Sequence, residues 1–276
     1  MPLVKLTDIL PREPWAVCAF NVENMEMAQA VVEAAEALRS PVIIQTTSGT
    51  LKYSPPAVFA GIVHALAKAS SVPIALHLDH GDSLERVRAC LDAGYTSVMF
   101  DGSRLPFDEN VDLTRRAVEM AGGVPVEGEI GAVGGKEDGH SAQAALTDPD
   151  QAVEFARLTG VSALAVAIGT AHGVYKSEPR LDVELLDVIA RRVPVPIVLH
   201  GTSGISAGQV RECIAHGIRK VNVATELRIA FTEGARAALI GHDDIIDPKV
   251  YLKAGRASVK ARAEDWIRVC GSEGKT

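Results

Sequence analysis

The chain has 276 residues, 47% hydrophobic and 23% charged, with a net charge of −7. That balance suits a soluble globular protein and argues against general nucleic-acid binding, which needs clustered Lys and Arg. There is no leader-like apolar segment and no run long enough to span a bilayer, and the four scattered cysteines (Cys18, Cys90, Cys213, Cys270) lack a CxxC pair, so a cytoplasmic chain with no membrane partner is expected.

Short aliphatic runs alternate with longer amphipathic ones. WAVCAFNV (15–22) reads as a strand, followed by helical MEMAQAVVEAAEALRS (25–40). PVIIQTT (41–47) and VPIALHLDH (72–80) are the next strands. SLERVRACLDAG (83–94) is a helix that Ser83 can cap and Gly94 can close. SVMFDG (97–102) and VPVEGEIG (124–131) continue the strands. GAVGGKEDGHSAQAALT (131–147) is a long link of small residues, the kind that serves as a lid or binding loop. DPDQAVEFARLTG (148–160) is helical, with Asp148 as cap and Gly160 as stop. ALAVAIG (163–169) is a strand, TAHGVYKSEPR (170–180) a second long loop, and LDVELLDVIARR (181–192) a helix. PIVLHGT (196–202) and KVNVATE (220–226) complete the strands, and a terminal extension after about 240 carries a helix over roughly 249–269.

Eight strand–helix units with nearly continuous apolar strands predict a parallel sheet covered on both faces. The fold expected is α/β, a (β/α)8 TIM barrel forming a single domain over 1–276 with a C-terminal helical extension. An open doubly wound sheet is the competitor, but no GxGxxG follows the first strand.

In such a barrel, chemistry gathers at the C-terminal ends of the strands. The third strand ends in Asp79 and His80, the fourth at Asp101, and the fifth carries Glu127 and Glu129. His172 follows the sixth strand, His200 ends the seventh, and Asn222 and Thr225 end the eighth. Three imidazoles with an open fourth position suit a catalytic zinc; the plainer alternative is three satisfied histidines under loops. His77 lies deeper than His80. Alternation points His77 and Asp79 one way and His80 the other unless the strand bends, so His77 is expected to be structural. Gly173 and Gly201 follow two of the histidines. The runs Gly201-Thr202-Ser203-Gly204 and Asn222-Val223-Ala224-Thr225 occupy the usual phosphate site of such barrels, or are ordinary turns.

These residues resemble the class II, metal-dependent ketose-bisphosphate aldolases, essentially end to end. The motifs are AFNVENME (19–26), HLDHG (77–81), SVMFDGS (97–103), VEGEIGAVGGKEDG (126–139), AVAIGTAHGVYKSEP (165–179), VLHGTSGI (198–205) and KVNVATEL (220–227). IGTAHG, HGTSG and NVATEL look most like the tagatose-1,6-bisphosphate branch, which is related to the fructose-1,6-bisphosphate aldolases. The resemblance implies reversible cleavage of a ketose 1,6-bisphosphate to dihydroxyacetone phosphate and glyceraldehyde 3-phosphate. It implies Zn2+ on His80, His172 and His200, with Asp101 and Glu129 as positions for a second cation or an alternative metal position. A monovalent cation is a further cofactor candidate. Asp79 would be the acid/base at the C4 oxygen, and Glu137 the base acting on dihydroxyacetone phosphate. Gly173, Gly201, Thr202, Ser203, Asn222, Ala224 and Thr225 would hold the dihydroxyacetone phosphate end. Asn21 and Thr47 match substrate-lining positions. Lys253 falls where some relatives reach the other phosphate with Arg, a fork that lysine replaces with a point charge. A homodimer or homotetramer is implied.

Other chemistries fit less well. A Schiff-base lysine would have to sit at a strand end, whereas Lys176 lies in a loop and Lys220 falls at the start of the eighth strand. Zinc hydrolases on this barrel usually need His-x-His on the first strand, which WAVCAFNV lacks. A non-catalytic accessory subunit would have no use for the full set of acids and histidines.

Overall fold

The computed structural model describes the backbone of residues 3–137, 140–142, 145–173 and 179–276, and the side chains of the same residues except 135–142. Eight strands close into a parallel barrel: β1 (Val17–Asn21), β2 (Val42–Thr47), β3 (Ile74–Gly81), β4 (Ser97–Phe100), β5 (Val126–Ile130), β8 (Ala163–Val166), β10 (Ile197–Leu199) and β11 (Ile218–Val223). Outside the barrel, β6 (Gly134–Glu137), β7 (His140–Ala142) and β9 (Ala171–His172) form a small sheet. The helices in chain order are α1 (Leu6–Ile9), α2 (Met25–Ala37), α3 (Ser48–Tyr53), α4 (Pro56–Ala69), α5 (Leu84–Asp92), α6 (Phe107–Ala121), α7 (Pro149–Thr159), α8 (Val183–Arg192), α9 (Ala207–Ala215), α10 (Thr225–Leu239) and α11 (Pro248–Cys270). The expected caps form: Ser83 accepts from Arg86 N, Asp148 from Asp150 N and Gln151 N, and Gly160 closes α7 in the left-handed region. Among the described residues, no helix is long and apolar enough to cross a membrane.

The strands look continuously apolar because both faces are buried, but the two faces differ. Outward residues such as Phe20, Ile44, Leu76, Leu78, Phe100, Leu164, Leu199 and Val221 pack in the main core. Inward residues change character along the barrel. Val17, Ala19, Ile43, Ala75, Ala163, Ala165 and Val198 fill its lower part together with Leu6 and Ile9 of α1. A hydrogen bond from Val4 N to Ile74 O ties that N-terminal segment to the start of β3. One layer higher the interior turns polar, with Asn21, Gln45, His77, Glu127, His200 and Lys220 all buried. An apolar base thus supports a polar layer that opens towards the strand C-termini.

The described residues of the link over 131–147 are not irregular. They contain the hairpin β6–β7, and β6 pairs in parallel with β9, aligning Gly135 with His172. Small residues carry no period-2 apolar signal, so this pairing is invisible in the sequence. Thr147 fastens the base of the hairpin: its hydroxyl donates to Ile130 O and accepts from Ala167 N.

Candidate active site and metal centre

His80 reaches the mouth through a local break in β3. It takes a left-handed backbone at φ 47, and the β3–β4 register shifts between Leu78 and Gly81. This is the bend that strand alternation required for Asp79 and His80 to face one site. Gly81 makes the bulge possible, because a Cβ there would overlap the Met99 carbonyl. Ser48 donates to His80 O at 3.0 Å and pins the turn.

His80, His172 and His200 converge. Their ring centroids lie 4.9, 4.7 and 6.1 Å apart, taken as pairs 80–172, 80–200 and 172–200. One potential ligand atom from each falls within 4.8 Å of the other two, and His80, Asp101 and Glu129 form a second such group. Tetrahedral zinc with nitrogen ligands needs N···N separations of about 3.4 Å, so a small contraction of the trio would satisfy it.

Acidic partners orient the rings. His80 donates from Nδ1 to Asp101 Oδ2 at 2.7 Å. His200 donates from Nε2 to Glu127 Oε1 at 2.9 Å, which turns its Nδ1 to within 3.1 Å of Glu129 Oε2. Burial alone would lower the His200 pKa, but hydrogen bonding to Glu127 and Glu129 raises it to about 9. Burial would push Asp101 up, yet the hydrogen bond and charge of His80, with help from Ser103, hold it well below the usual carboxylate range. Without a metal the centre therefore holds a proton among carboxylates, a place where a cation fits.

His77 proves different from these. It is fully buried, with Nδ1 2.8 Å from Ser97 Oγ. Burial first, and then the charge of Lys220, pulls its pKa down to about 3, which makes it a neutral packed histidine. It belongs to neither group of potential ligands.

Asp79 is 1% exposed and gripped from both sides: Asn21 Nδ2 donates to Oδ2 at 2.8 Å, and Asn222 Nδ2 donates to Oδ1 at 2.9 Å. Gln45 Nε2 in turn donates to Asn21 Oδ1 at 2.8 Å.

Two cavities meet at His172. One of about 70 Å³ is lined by Asn21, Asp79, His172, Gly173, Gly201, Thr202, Ser203, Asn222, Ala224, Thr225 and Arg228. It brings together the expected metal-site histidine, the acid and the whole expected phosphate set. The other, about 560 Å³, contains His80, Asp101, Glu129 and His172, with Ser48, Lys52 and Arg104 among its walls. Gly201 is obligatory where it stands: at φ +69 a Cβ would meet Ala171 O at 2.7 Å.

Other expected residues fall elsewhere. Thr47 is buried and caps α3 by accepting from Thr50 N, and it lines neither cavity. Lys253 is exposed on α11 and lines neither cavity. The backbone of Glu137 ends β6, two residues beyond the pairing with β9; its side chain and Lys176 lie outside the described residues. Lys220 lies, as expected, in the first half of its strand: it is third in β11 and paired with Val17, the first residue of β1. What the sequence does not show is that it is fully buried, with Nζ 2.9 Å from Glu127 Oε2. Glu127, which the strand-end reading names without a role, binds His200 and Lys220, whereas the positions of Lys220 and Arg228 beside the site are not marked by that reading. The inward parity shared by positions 220 and 222 was the available signal for Lys220.

The chain is similar to known proteins along nearly its whole length. The family model described as class-II fructose-bisphosphate aldolase matches residues 3–275. The D-tagatose-1,6-bisphosphate aldolase subunit GatY of Klebsiella oxytoca is 44% identical over 266 residues, covering 95% of this chain and 94% of that protein. Among solved structures, the YdjI aldolase of Escherichia coli K12 superposes with a TM-score of 0.87 at 37% identity, covering 99% of both chains. A putative fructose-1,6-bisphosphate aldolase from Coccidioides immitis gives a TM-score of 0.87 at 30% identity, covering 95% of this chain and 93% of that one.

Proposed function

The chain belongs to the class-II fructose-bisphosphate aldolase family and is a carbon–carbon lyase; from that premise we propose that it cleaves a ketose 1,6-bisphosphate, with tagatose 1,6-bisphosphate ahead of the fructose epimer. The products are dihydroxyacetone phosphate and glyceraldehyde 3-phosphate. The 44% identity to a tagatose-bisphosphate aldolase subunit supports this order.

The observation that carries the reading is the meeting of three imidazoles beside a carboxylate held by two amides. His80, His172 and His200 would hold Zn2+, with the rings of His80 and His200 oriented by Asp101 and Glu127. The ion supplies Lewis-acid stabilisation of the negative charge that develops on the dihydroxyacetone phosphate half. Asp79 takes the proton of the C4 hydroxyl as the C3–C4 bond breaks, and returns it in condensation. Glu137, carried on the hairpin beside His172, exchanges the proton at the dihydroxyacetone phosphate carbon and shuts out water. Gly173, Gly201, Thr202, Ser203, Ala224 and Thr225, with Arg228, surround the phosphate of that half. Asn21 and Asn222 orient Asp79 and line the same cavity. Asp101 and Glu129 steady the metal site and offer an alternative position for the ion, or for a monovalent cation.

The ligands, Asp79 and the Glu137 hairpin all lie in one chain, which supports a single domain over 1–276 that carries the chemistry itself. Buried free cysteines suit a cytoplasmic setting. Exposed Leu239, Ile240 and Ile246 support self-association as a homodimer or homotetramer.

The test is kcat/KM measured side by side on the two bisphosphates. A preference for tagatose 1,6-bisphosphate is expected, and cleavage of neither substrate would refute the proposal.

A further inference from the structure

Lys220 lies fully buried in the barrel, in the polar layer that also holds His77 and Glu127. Its Nζ donates to Asn222 Oδ1 at 2.7 Å and lies 2.9 Å from Glu127 Oε2. A buried ammonium is tolerated only when its charge is paired and its donors are used. The ion pair and the amide oxygen meet that requirement, yet the aldol chemistry itself calls for no lysine at this depth.

An Asn amide has one accepting and one donating end, and its partners decide which way it faces. Lys220 can only donate, so it claims Oδ1 of Asn222. That leaves Nδ2 directed at Asp79 Oδ1, 2.9 Å away. The opposite grip on Asp79, from Asn21, is backed among the described residues by the neutral amide of Gln45. Of the two arms that fix Asp79, the Asn222 arm is the one anchored by a charge. Glu127 holds the ammonium in place and uses its other oxygen for His200.

We infer that Lys220 is a positioning residue for the aldol reaction: by fixing the orientation of Asn222 it sets the rotamer of Asp79, the carboxylate that receives the C4 proton. This rests on the assignment of Asp79 proposed above. The role of Lys220 is exerted through Asn222, while its ion pair with Glu127 serves burial.

The test compares wild type, Lys220→Met and Lys220→Gln in three measurements. These are kcat and KM for cleavage, zinc content, and hydrogen–deuterium exchange of dihydroxyacetone phosphate followed by NMR. The exchange is assigned to Glu137 and makes no use of Asp79. Lys220→Met is expected to lower kcat by about 100-fold, with KM within about 3-fold of wild type. Exchange rate and zinc content should stay within about 2-fold of wild type. Lys220→Gln keeps a donor for Asn222, so its loss in kcat should be only about 10-fold. In an Asp79→Ala background, Lys220→Met should cost nothing further, as expected of two residues acting as one unit.

Unchanged kcat in both Lys220 variants would overturn the inference. So would parallel losses of cleavage and exchange, loss of zinc, or losses additive with Asp79→Ala, since each places Lys220 in the metal site or the fold alone. If Lys220→Met does not fold, Lys220→Gln decides: a drop in kcat with intact exchange supports the inference, and an unchanged kcat refutes it. A wild-type chain that performs neither cleavage nor exchange sinks the aldolase proposal itself. An Asp79→Ala variant with full turnover sinks the assignment of Asp79. Neither result resembles failure of the Lys220 inference, which requires an active wild type and an inactive Asp79→Ala.

Discussion

His200 donates its Nε2–H to Glu127 Oε1 at 2.9 Å. That bond fixes which nitrogen of His200 faces His80 and His172. With Glu129 on the other side, it holds the metal-free ring protonated, with a pKa of about 9. A metal ion must therefore displace a proton from His200. At pH 8, zinc titrations in buffers of different ionisation enthalpy should show His200 releasing about one proton per ion, falling towards zero at pH 10. Release that does not change between those values would place the proton elsewhere.

Two histidines with opposite shifts set the pH dependence of stability in the metal-free protein. His200 is raised from 6.5 to about 9, so its contribution is full below 6.5 and is lost as the pH rises through 9. His77 is lowered from 6.5 to about 3, so its contribution is full above 6.5 and is lost as the pH falls towards 3. Glu127 and Asp101, both depressed, add stability that disappears on acidification below their ordinary range. Thermal melts with chelator should give the highest Tm near pH 6.5, with a fall of several degrees by pH 9. Zinc should abolish the alkaline fall.

Asp79 belongs to neither group of potential ligands, so its removal should separate metal binding from turnover. Asp79→Ala is expected to retain zinc and to lose about 10²–10⁴-fold in kcat. Metal analysis and steady-state kinetics on the same preparation check this; loss of zinc with Asp79→Ala would make it part of the metal site. Conversely, His80→Ala should lose zinc, while His77→Ala should keep it.

Gly201 touches the backbone that carries His172. In Gly201→Ala the new Cβ would press on Ala171 O, C and N at 2.7 to 3.0 Å, at a φ that disfavours any side chain. The strain amounts to about 1–2 kcal/mol before any steric shift. Displacement of β9 should weaken zinc binding and raise KM for the bisphosphate together, whereas a change confined to Tm would mean the strand does not move.

Much of this could be read from the sequence, for identifiable reasons. Most barrel strands are apolar runs, because helices cover one face and the barrel interior the other. Asp79, His80, His172 and His200 stand at strand ends, where polar residues break those runs. The rest has little or no periodic signature. The left-handed turn at His80 is a property of one residue's backbone. The β6–β7 hairpin is built of glycine and small residues. Lys220 reads as a strand start because the run KVNV begins there, whereas β11 begins two residues earlier, and its pairing with Glu127 joins strands far apart in sequence. Arg228 lines the small cavity from the first turn and a half of α10, with Nε donated to Glu23, and nothing in the turn motif before it marks that reach.

The central claim is that three imidazoles gathered at the barrel mouth hold the metal on which aldol cleavage depends. Dialysis against EDTA followed by zinc add-back, with ketose-bisphosphate cleavage measured at each stage, tests it most directly. Cleavage should vanish on metal removal and return at about one zinc per chain, and borohydride should trap no substrate adduct at any stage. Full turnover in the metal-free protein, or a borohydride-trapped lysine adduct, would contradict the claim.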